Sequence, residues 1–131
     1  SGASKYFDRG FISYSNSSKI SILGVSSRSI EKFGAVSVEV AQEMAIGAIK
    51  NSKADYSIAI TGIAGPGGSE AKPEGLVCFG VAKQSSSSTF VKNFGPIGRD
   101  KVRLNSCRKG LNILVQFIKS DLSYTNRHLS V

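Results

Sequence analysis

The sequence predicts an α/β fold, a three-layer α/β/α sandwich around a mixed, mostly parallel central sheet. Three observations lead to this prediction. A clear amphipathic helix at 35–52 lies between strand-like segments at 10–15 and 55–60, and a strand–helix–strand crossover of that length joins parallel strands. Two later strand-like segments form a hairpin, which adds antiparallel strands. A second long helix, at 99–119, would cover the other face of the sheet.

The first half of the chain alternates between short helices and strand-like segments. "GFISYS" (10–15) alternates apolar and polar side chains, which is typical of a strand. Two short helices follow, "SSKISIL" and "SSRSIEKF", each ended by a glycine. In the helix at 35–52, Ser37 is a good N-cap and Gly47 indicates a tight crossing. Its apolar residues recur at helical spacing: Val40, Ala41, Met44, Ala45, Ala48 and Ile49.

The second half predicts a hairpin and a long helix. "GLVCFGVA" (75–82) is apolar throughout, as in a strand covered on both faces. "KQSSSS" (83–88) suits a hairpin tip, and "TFVKNF" (89–94) returns as the partner strand. The helix at 99–119 has a predicted buried stripe of Leu104, Cys107, Leu111, Leu114, Val115 and Ile118. Residues 121–131 show no strong period, so we expect a loose tail on a single domain of 1–131.

Composition and charge narrow the function classes. The chain has 131 residues, of which 40% are apolar and 20% charged, which is ordinary for a globular domain. No apolar run approaches the roughly 20 residues of a membrane span, so we expect a cytoplasmic protein without a membrane partner. The net charge of +8 favours an anionic partner. We do not expect nucleic acid, because basic and aromatic residues are not interleaved and no helix-turn-helix pattern occurs.

The cysteines and the histidine indicate no metal site. Cys78 and Cys107 lie far apart in the sequence, and we expect both to be buried and reduced. The only histidine, His128, lies near the C-terminus. A zinc site needs more ligands than these three residues supply.

The segment "ITGIAGPGGSEAKPEG" (60–75) contains five glycines and two prolines directly after a strand-like run. Open α/β sheets bind ligands at the carboxyl ends of strands, and consecutive N–H groups can form a concave anion site. Gly62 and Gly67 have the glycine spacing of a P-loop, but Gly68 stands where its lysine must be. A dinucleotide G-x-G-x-x-G motif is absent as well. A ligand-binding loop and a purely structural loop both remain open.

Three segments together are more specific than any one of them: "GASKYFDRGFISYSNSSKISILGV", "GAVSVEVAQEMAIGAI" and "ITGIAGPGGSEAKPEGLVCFGVA". In their order and spacing they resemble the CinA C-terminal domain family, the nicotinamide-nucleotide amidases of the PncC type, over about 1–118. The resemblance implies an α/β/α fold and hydrolysis of the carboxamide of nicotinamide mononucleotide to nicotinate mononucleotide and ammonia. This reaction recycles pyridine nucleotides and uses no metal or other cofactor. Some members are labelled competence/damage-inducible proteins.

The resemblance also implies catalytic residues. Tyr14 and Lys19, in "YSNSSK", match a tyrosine and a lysine that assist a serine nucleophile. A lysine can take the serine proton if burial or neighbouring positive charge lowers its pKa, and a tyrosine hydroxyl can relay it. The family's serine lies in an "ESCTGG"-like motif on a preceding segment, and this motif does not occur in residues 1–131. We therefore expect an N-terminally incomplete amidohydrolase domain of Ser–Lys type. The alternative is a catalytically inactive nucleotide-binding or assembly module.

We expect the glycine-rich loop and nearby basic residues to bind the nucleotide, a small-molecule substrate with a phosphate. The candidates are Thr61, Gly62, Gly65, Gly67, Gly68, Lys72, Arg99 and Arg103. Cationic side chains and main-chain N–H groups are the usual phosphate partners. The family resemblance and a sheet edge without its expected neighbour also predict a homo-oligomer.

Overall fold

The computed structural model describes residues 1–69 and 71–129. A 3₁₀ helix, Ala3–Lys5, comes first and is followed by a segment, 7–14, that is neither helix nor strand. The other elements are α1 (Asn16–Leu23), α2 (Ser27–Phe33), α3 (Val38–Lys50), β1 (Ser57–Gly62), β2 (Leu76–Lys83), β3 (Ser86–Asn93) and α4 (Arg99–Leu129). None of the helices in the described ranges combines the length and the hydropathy that a bilayer crossing requires.

The sheet found in the described residues has three strands in the order β1-β2-β3, and both pairings are antiparallel. The predicted α/β class is confirmed, but the mixed, mostly parallel sheet is wrong. The prediction assumed that 10–15 forms a strand and that the helix after it joins two parallel neighbours. In the structure this segment is neither helix nor strand; a strand needs a hydrogen-bonded neighbour, and the described strands pair only with one another.

The two faces of the sheet differ in side-chain size. Alternate residues point to opposite faces, and Ala59 lies opposite Gly80 in the register. This small-residue face packs on α3 in a cluster that includes Val40, Met44 and Ala45. The other face carries large side chains that pack on α4; its buried members are Val77, Phe79, Val81, Val102 and Ile113. Helices therefore cover both faces, as predicted.

The helix α3 lies close to its neighbours because glycines allow main chains to approach. A Cβ atom at Gly80 would overlap the carbonyl group of Ala41 in α3, and one at Gly47 would overlap that of Leu23 in α1. The predicted tight crossing at Gly47 is confirmed. The side chain of Ser37 accepts a hydrogen bond from the amide of Val40 at 3.2 Å, so the predicted N-cap is also confirmed.

The helix α4 buries a different face from the predicted one. Its buried residues, here called the inner stripe, are Val102, Ser106, Gly110 and Ile113. Of the predicted stripe, Leu104, Cys107, Leu111 and Val115 are exposed, while Leu114 and Ile118 are half-buried. Four exposed residues, here called the outer stripe, are Leu104, Leu111, Val115 and Leu122. The helix thus has two apolar stripes at helical spacing, and the sequence pattern alone does not show which one meets the sheet.

The helix α4 also continues beyond the predicted end at 119. Asp121 accepts a hydrogen bond from the hydroxyl of Tyr56 at 2.6 Å and forms an ion pair with Lys83. These contacts attach the second half of the helix to the sheet. The prediction of a loose tail is therefore wrong for 121–129, and residues 130–131 lie outside the described range.

Candidate active site

Lys19 is a buried lysine in the first turns of α1, with only 7% of its surface exposed. Its Nζ atom donates hydrogen bonds to the carbonyl oxygens of Ser13 at 2.9 Å and Tyr14 at 3.3 Å. No carboxylate among the described residues lies within ion-pair distance of it. Burial lowers the pKa of Lys19, because leaving water disfavours the charged ammonium. The direction of this shift is the one that a lysine base requires, and a catalytic role of Lys19 stays a prediction.

Tyr14 lies beside Lys19 through its main chain, while its side chain is 88% exposed. Ser15 is the N-cap of α1, and its side chain accepts a hydrogen bond from the amide of Ser18 at 3.0 Å. This N-cap places Lys19 one turn into the helix, beneath the carbonyl groups that hold it. The two residues that resemble the family's catalytic pair are therefore neighbours in space.

The glycine-rich loop satisfies part of its own hydrogen-bonding capacity. Gly65 and Gly67 have positive φ angles of 86° and 78°. The amide of Gly67 donates to the carboxylate of Glu74 at 2.8 Å, and this side chain lies against Gly65. An anion bound at Gly67 would have to displace a carboxylate. Glu74 was missed by the sequence reasoning, which looked for donors in the loop and overlooked an acid six residues after Gly68.

Three other predicted binding residues hold the loop in place: Lys72, Thr61 and Arg99. Lys72 donates from Nζ to the carbonyl oxygen of Phe33, at the end of α2, at 2.6 Å, and to that of Val36, just before α3. The hydroxyl of Thr61 is buried and donates to the carbonyl of Ala35 at 2.8 Å.

Arg99, at the start of α4, donates from a guanidinium nitrogen to the carbonyl of Gly65 at 3.2 Å. These side chains attach the loop to both helix layers in this conformation. Nucleotide binding by Thr61, Lys72 and Arg99 stays a prediction.

A groove of about 750 Å³ lies between residues 6–14 and the free edge of β1, and is here called the β1 groove. Tyr14 and Arg103 both line it. A smaller cavity of about 230 Å³ is lined by Gly62, Arg103 and Cys107. Arg103 thus borders both spaces, while Tyr14 lines only the β1 groove and Gly62 only the smaller cavity. Gly65, Gly67, Gly68, Lys72 and Arg99 line neither space.

The family model of the CinA C-terminal domain matches residues 1–118. The chain belongs to the CinA C-terminal domain family. The resemblance of the three sequence segments is therefore confirmed, and the match ends within α4.

Two curated relatives illustrate the similarity of this CinA domain to known proteins. It is 48% identical over 114 residues to a protein of Caldicellulosiruptor saccharolyticus named for competence-damage induction, covering 86% of this chain and 28% of that protein. It is 43% identical over 121 residues to the nicotinamide-nucleotide amidohydrolase PncC of Enterobacter agglomerans, covering 91% of this chain and 74% of that one. The chain thus spans little more than a quarter of the first of these relatives.

Solved structures agree with the fold. The competence/damage inducible protein CihA from Agrobacterium tumefaciens superposes with a TM-score of 0.85 at 41% identity, covering 88% of this chain and 72% of that chain. A CinA superfamily protein from Escherichia coli gives 0.84 at 38% identity, covering 88% and 67%. Both structures contain additional chain that has no counterpart in this CinA domain.

The two cysteines differ in exposure. Cys78 is buried, as predicted, and burial raises the pKa of its thiol. Cys107 is exposed, so the prediction that it is buried is wrong; it lies on the groove side of α4, away from the inner stripe. Within the described ranges, no three His, Cys, Asp or Glu side chains are grouped to hold a metal ion.

Proposed function

We propose that this CinA domain supplies the general base of an amidohydrolase that acts on nicotinamide mononucleotide. The products are nicotinate mononucleotide and ammonia, and the reaction recycles pyridine nucleotides. The observation that carries the proposal is Lys19: a buried amine with a lowered pKa, held by the main chain at Tyr14. The 43% identity to a protein named nicotinamide-nucleotide amidohydrolase supports the choice of substrate.

The hydrogen bonds of Lys19 suit a base. A neutral amine has two N–H donors and one lone pair, and the carbonyl groups of Ser13 and Tyr14 provide acceptors for two hydrogens. With both donors directed at these carbonyls, the lone pair is available to a hydroxyl. The lowered pKa increases the fraction of neutral amine at a given pH.

The attacking hydroxyl in this proposal belongs to the serine of an "ESCTGG"-like motif, which lies outside residues 1–131. Its oxygen attacks the carboxamide carbon while Lys19 takes the proton. Collapse of the tetrahedral intermediate breaks the C–N bond, and Lys19 returns the proton so that ammonia leaves. Water then hydrolyses the acyl-enzyme to the carboxylate. The exposed hydroxyl of Tyr14 lies on the groove side, where it assists the transfer.

Among the basic candidates, Arg103 is the phosphate partner that the geometry favours. It borders both the β1 groove and the smaller cavity beside Gly62. Lys72 and Arg99 already donate to main-chain carbonyls, so binding a phosphate would cost them those bonds. The net charge of +8 agrees with an anionic substrate.

Ammonia release from nicotinamide mononucleotide tests the proposal, using a form of the protein that contains the serine motif. Lys19→Ala is expected to lower kcat by about 10²–10⁴-fold with little change in KM, because a general base acts in the transition state. Lys19→Arg should not restore turnover, since a guanidinium stays charged. The exposed Lys50→Ala is the control and should be fully active. Undiminished turnover of Lys19→Ala would reject the role of Lys19, and no ammonia from the parent protein would reject the amidase.

The alternative is a nucleotide-binding or assembly module without turnover. Calorimetric titration of nicotinamide mononucleotide into this chain, together with the ammonia assay, distinguishes binding alone from hydrolysis. A homo-oligomeric state and a cytoplasmic location stay predictions. Sedimentation velocity tests the first, and cell fractionation tests the second.

A further inference from the structure

The long helix α4 covers only part of its side of the sheet. The strand residues packed beneath it belong to β1 and β2: Ile58, Val77, Phe79 and Val81. On β3, Ser88 and Phe90 are the register partners of Val81 and Phe79, and directly paired residues point to the same face of a sheet. Phe90 is nevertheless 43% exposed. The face of β3 beside α4 is therefore open to solvent.

A groove of about 640 Å³ lies on this open face and is here called the β3 groove. Its sheet wall is formed by Ser86, Ser88 and Phe90, which alternate along β3, and its helix wall by one face of α4 between 109 and 124. The volume lies within the range of small-molecule sites, about 300–1,000 Å³. The β3 groove shares no lining residue with the β1 groove or with the smaller cavity beside Gly62. It is therefore a separate space at the opposite edge of the sheet.

Two aromatic rings on the helix wall are held in position by contacts with other rings. Phe117 meets Tyr56 edge-to-face, with ring centroids 6.2 Å apart, and Tyr124 lies against His128, with ring centroids 4.0 Å apart. Together with Phe90 on the sheet wall, they present aromatic surface from both sides of the groove. Because rings that are already fixed lose little further freedom when a ligand binds, the groove is preorganised for a flat aromatic group.

The polar side chains of the helix wall have unused hydrogen-bonding capacity. Among the described residues, no hydrogen bond or ion pair engages the side chains of Lys109, Asn112 or Gln116. Asp121, the acid that lines the groove, forms an ion pair with Lys83. The charges of this pair cancel, so the described lining has one uncompensated positive charge, which is that of Lys109.

We propose that the β3 groove binds a small aromatic carboxylate. The ring lies between Phe90 and the aromatic residues of α4, and the carboxylate accepts hydrogen bonds from the ammonium of Lys109 and the side-chain amides of Asn112 and Gln116. A single negative charge matches the single uncompensated lysine, whereas a phosphate would bring additional negative charge without a partner. This inference concerns a second site and is independent of the amide chemistry.

Titration of 2-naphthoate into the isotope-labelled protein, followed by NMR, tests the proposal. Saturable shifts are expected for the amides of 86–90 and 109–117, with a Kd of about 1 mM or tighter for a ligand of this size. Two comparison compounds separate the contributions of ring and charge. 2-Naphthylmethanol keeps the rings without the charge, and cyclohexanecarboxylate keeps the charge without an aromatic ring. Each should bind about tenfold more weakly than 2-naphthoate.

Variants locate the site on the protein. Lys109→Gln should weaken the binding of 2-naphthoate by about tenfold, because it removes the charged donor. Lys119→Gln, at an exposed lysine of α4 outside the groove, is the matched control and should stay within about twofold. Phe90→Ala should weaken binding by a factor similar to that of Lys109→Gln, because it removes the aromatic part of the sheet wall. Both Lys109 and Phe90 are exposed, so both variants should keep the fold.

The proposal would be overturned by shifts that do not saturate below about 10 mM 2-naphthoate. Equal weakening in Lys109→Gln and Lys119→Gln would also overturn it, because binding would then be a general attraction to a basic helix. Equal binding of 2-naphthylmethanol and 2-naphthoate would remove the role of the carboxylate. Shifts of the same amides that depend on protein concentration in the absence of ligand would show that a second copy of the chain is the occupant instead.

Discussion

Two regions of this CinA domain have similar apolar content and opposite exposure. Between the sheet and its two helix layers, Phe79 is fully buried and a Cβ atom at Gly80 would overlap the main chain of α3. Around the β1 groove and the outer stripe, Ile12 is 89% exposed and Leu111 lies in solvent. The first region is complete by itself. The second leaves apolar side chains exposed among the described residues, and contiguous exposed apolar surface is typical of interaction sites.

The largest expected effect on stability comes from comparing alanine substitutions at two phenylalanines that are paired across neighbouring strands. Phe79 and Phe90 are partners in the β2–β3 register, but Phe90 is exposed. Phe79→Ala should lower the free energy of unfolding by about 3–5 kcal/mol, since it leaves a cavity in the core. Phe90→Ala should cost less than half as much. Urea denaturation of both variants measures the difference, and equal losses would contradict the assigned burial.

The second prediction compares the two stripes of α4. Ile113→Ala, on the inner stripe, should cost about 2–5 kcal/mol. Leu111→Ala, on the outer stripe, should change stability by no more than about 0.5 kcal/mol, because the side chain is exposed. The midpoints of urea unfolding of the chain alone provide the measurement. A large loss in Leu111→Ala would show that the outer stripe is already covered.

The third prediction concerns glycines that allow close packing. Gly80→Ala should cost about 1–3 kcal/mol, because the new methyl group meets the main chain of Ala41, which cannot move alone. Gly110→Ala is the matched substitution. Its methyl group would lie 2.8 Å from the flexible end of Ile60, and alanine is a better helix former by up to about 1 kcal/mol. Gly110→Ala should therefore lower the free energy of unfolding less than Gly80→Ala does. Thermal unfolding of both variants measures this, and a larger loss in Gly110→Ala would contradict the prediction.

The smallest expected effect is a pH dependence at Asp121. The ion pair with Lys83, followed by the hydrogen bond from Tyr56, lowers the pKa of Asp121 below its ordinary value of 3.8. The same hydrogen bond raises the pKa of Tyr56 to about 12. The unfolded state therefore binds the proton first, so this contribution to stability is present above pH 3.8 and is lost as the pH falls through the lower folded-state value.

Asp121→Asn should flatten the pH dependence of the unfolding midpoint between about pH 5 and pH 2. Asp100→Asn, an exposed change in the first turn of the same helix, serves as the control. Identical slopes in Asp121→Asn and the parent protein would contradict the linkage.

The sequence predicted the elements that depend on local pattern. The helix around Val40 and Met44 has a strong 3.6-residue period, and the hairpin of β2 and β3 needs only one turn. The parallel pairing was wrong because it depends on which strand lies next to β1, and 10–15 has a strand's alternation without a neighbour. The stripe of α4 was wrong because both of its stripes fit a helix, and only tertiary contacts select one.

The candidate site shows the same limit. Lys19 was found through family resemblance, since a lysine in a short polar helix has no distinguishing period. Its burial and its two carbonyl partners became visible only in three dimensions. The interaction of Glu74 with Gly67 was missed for the same reason, because it depends on the turn that the loop makes.

The most direct test of the catalytic proposal is the pKa of Lys19, measured by NMR titration of its labelled side chain, with Lys50 as an exposed reference. We expect a value for Lys19 below the ordinary 10.5, because burial disfavours the charged amine. A pKa at or above 10.5 would mean that the amine stays protonated as readily as a surface lysine, and would contradict its role as the base.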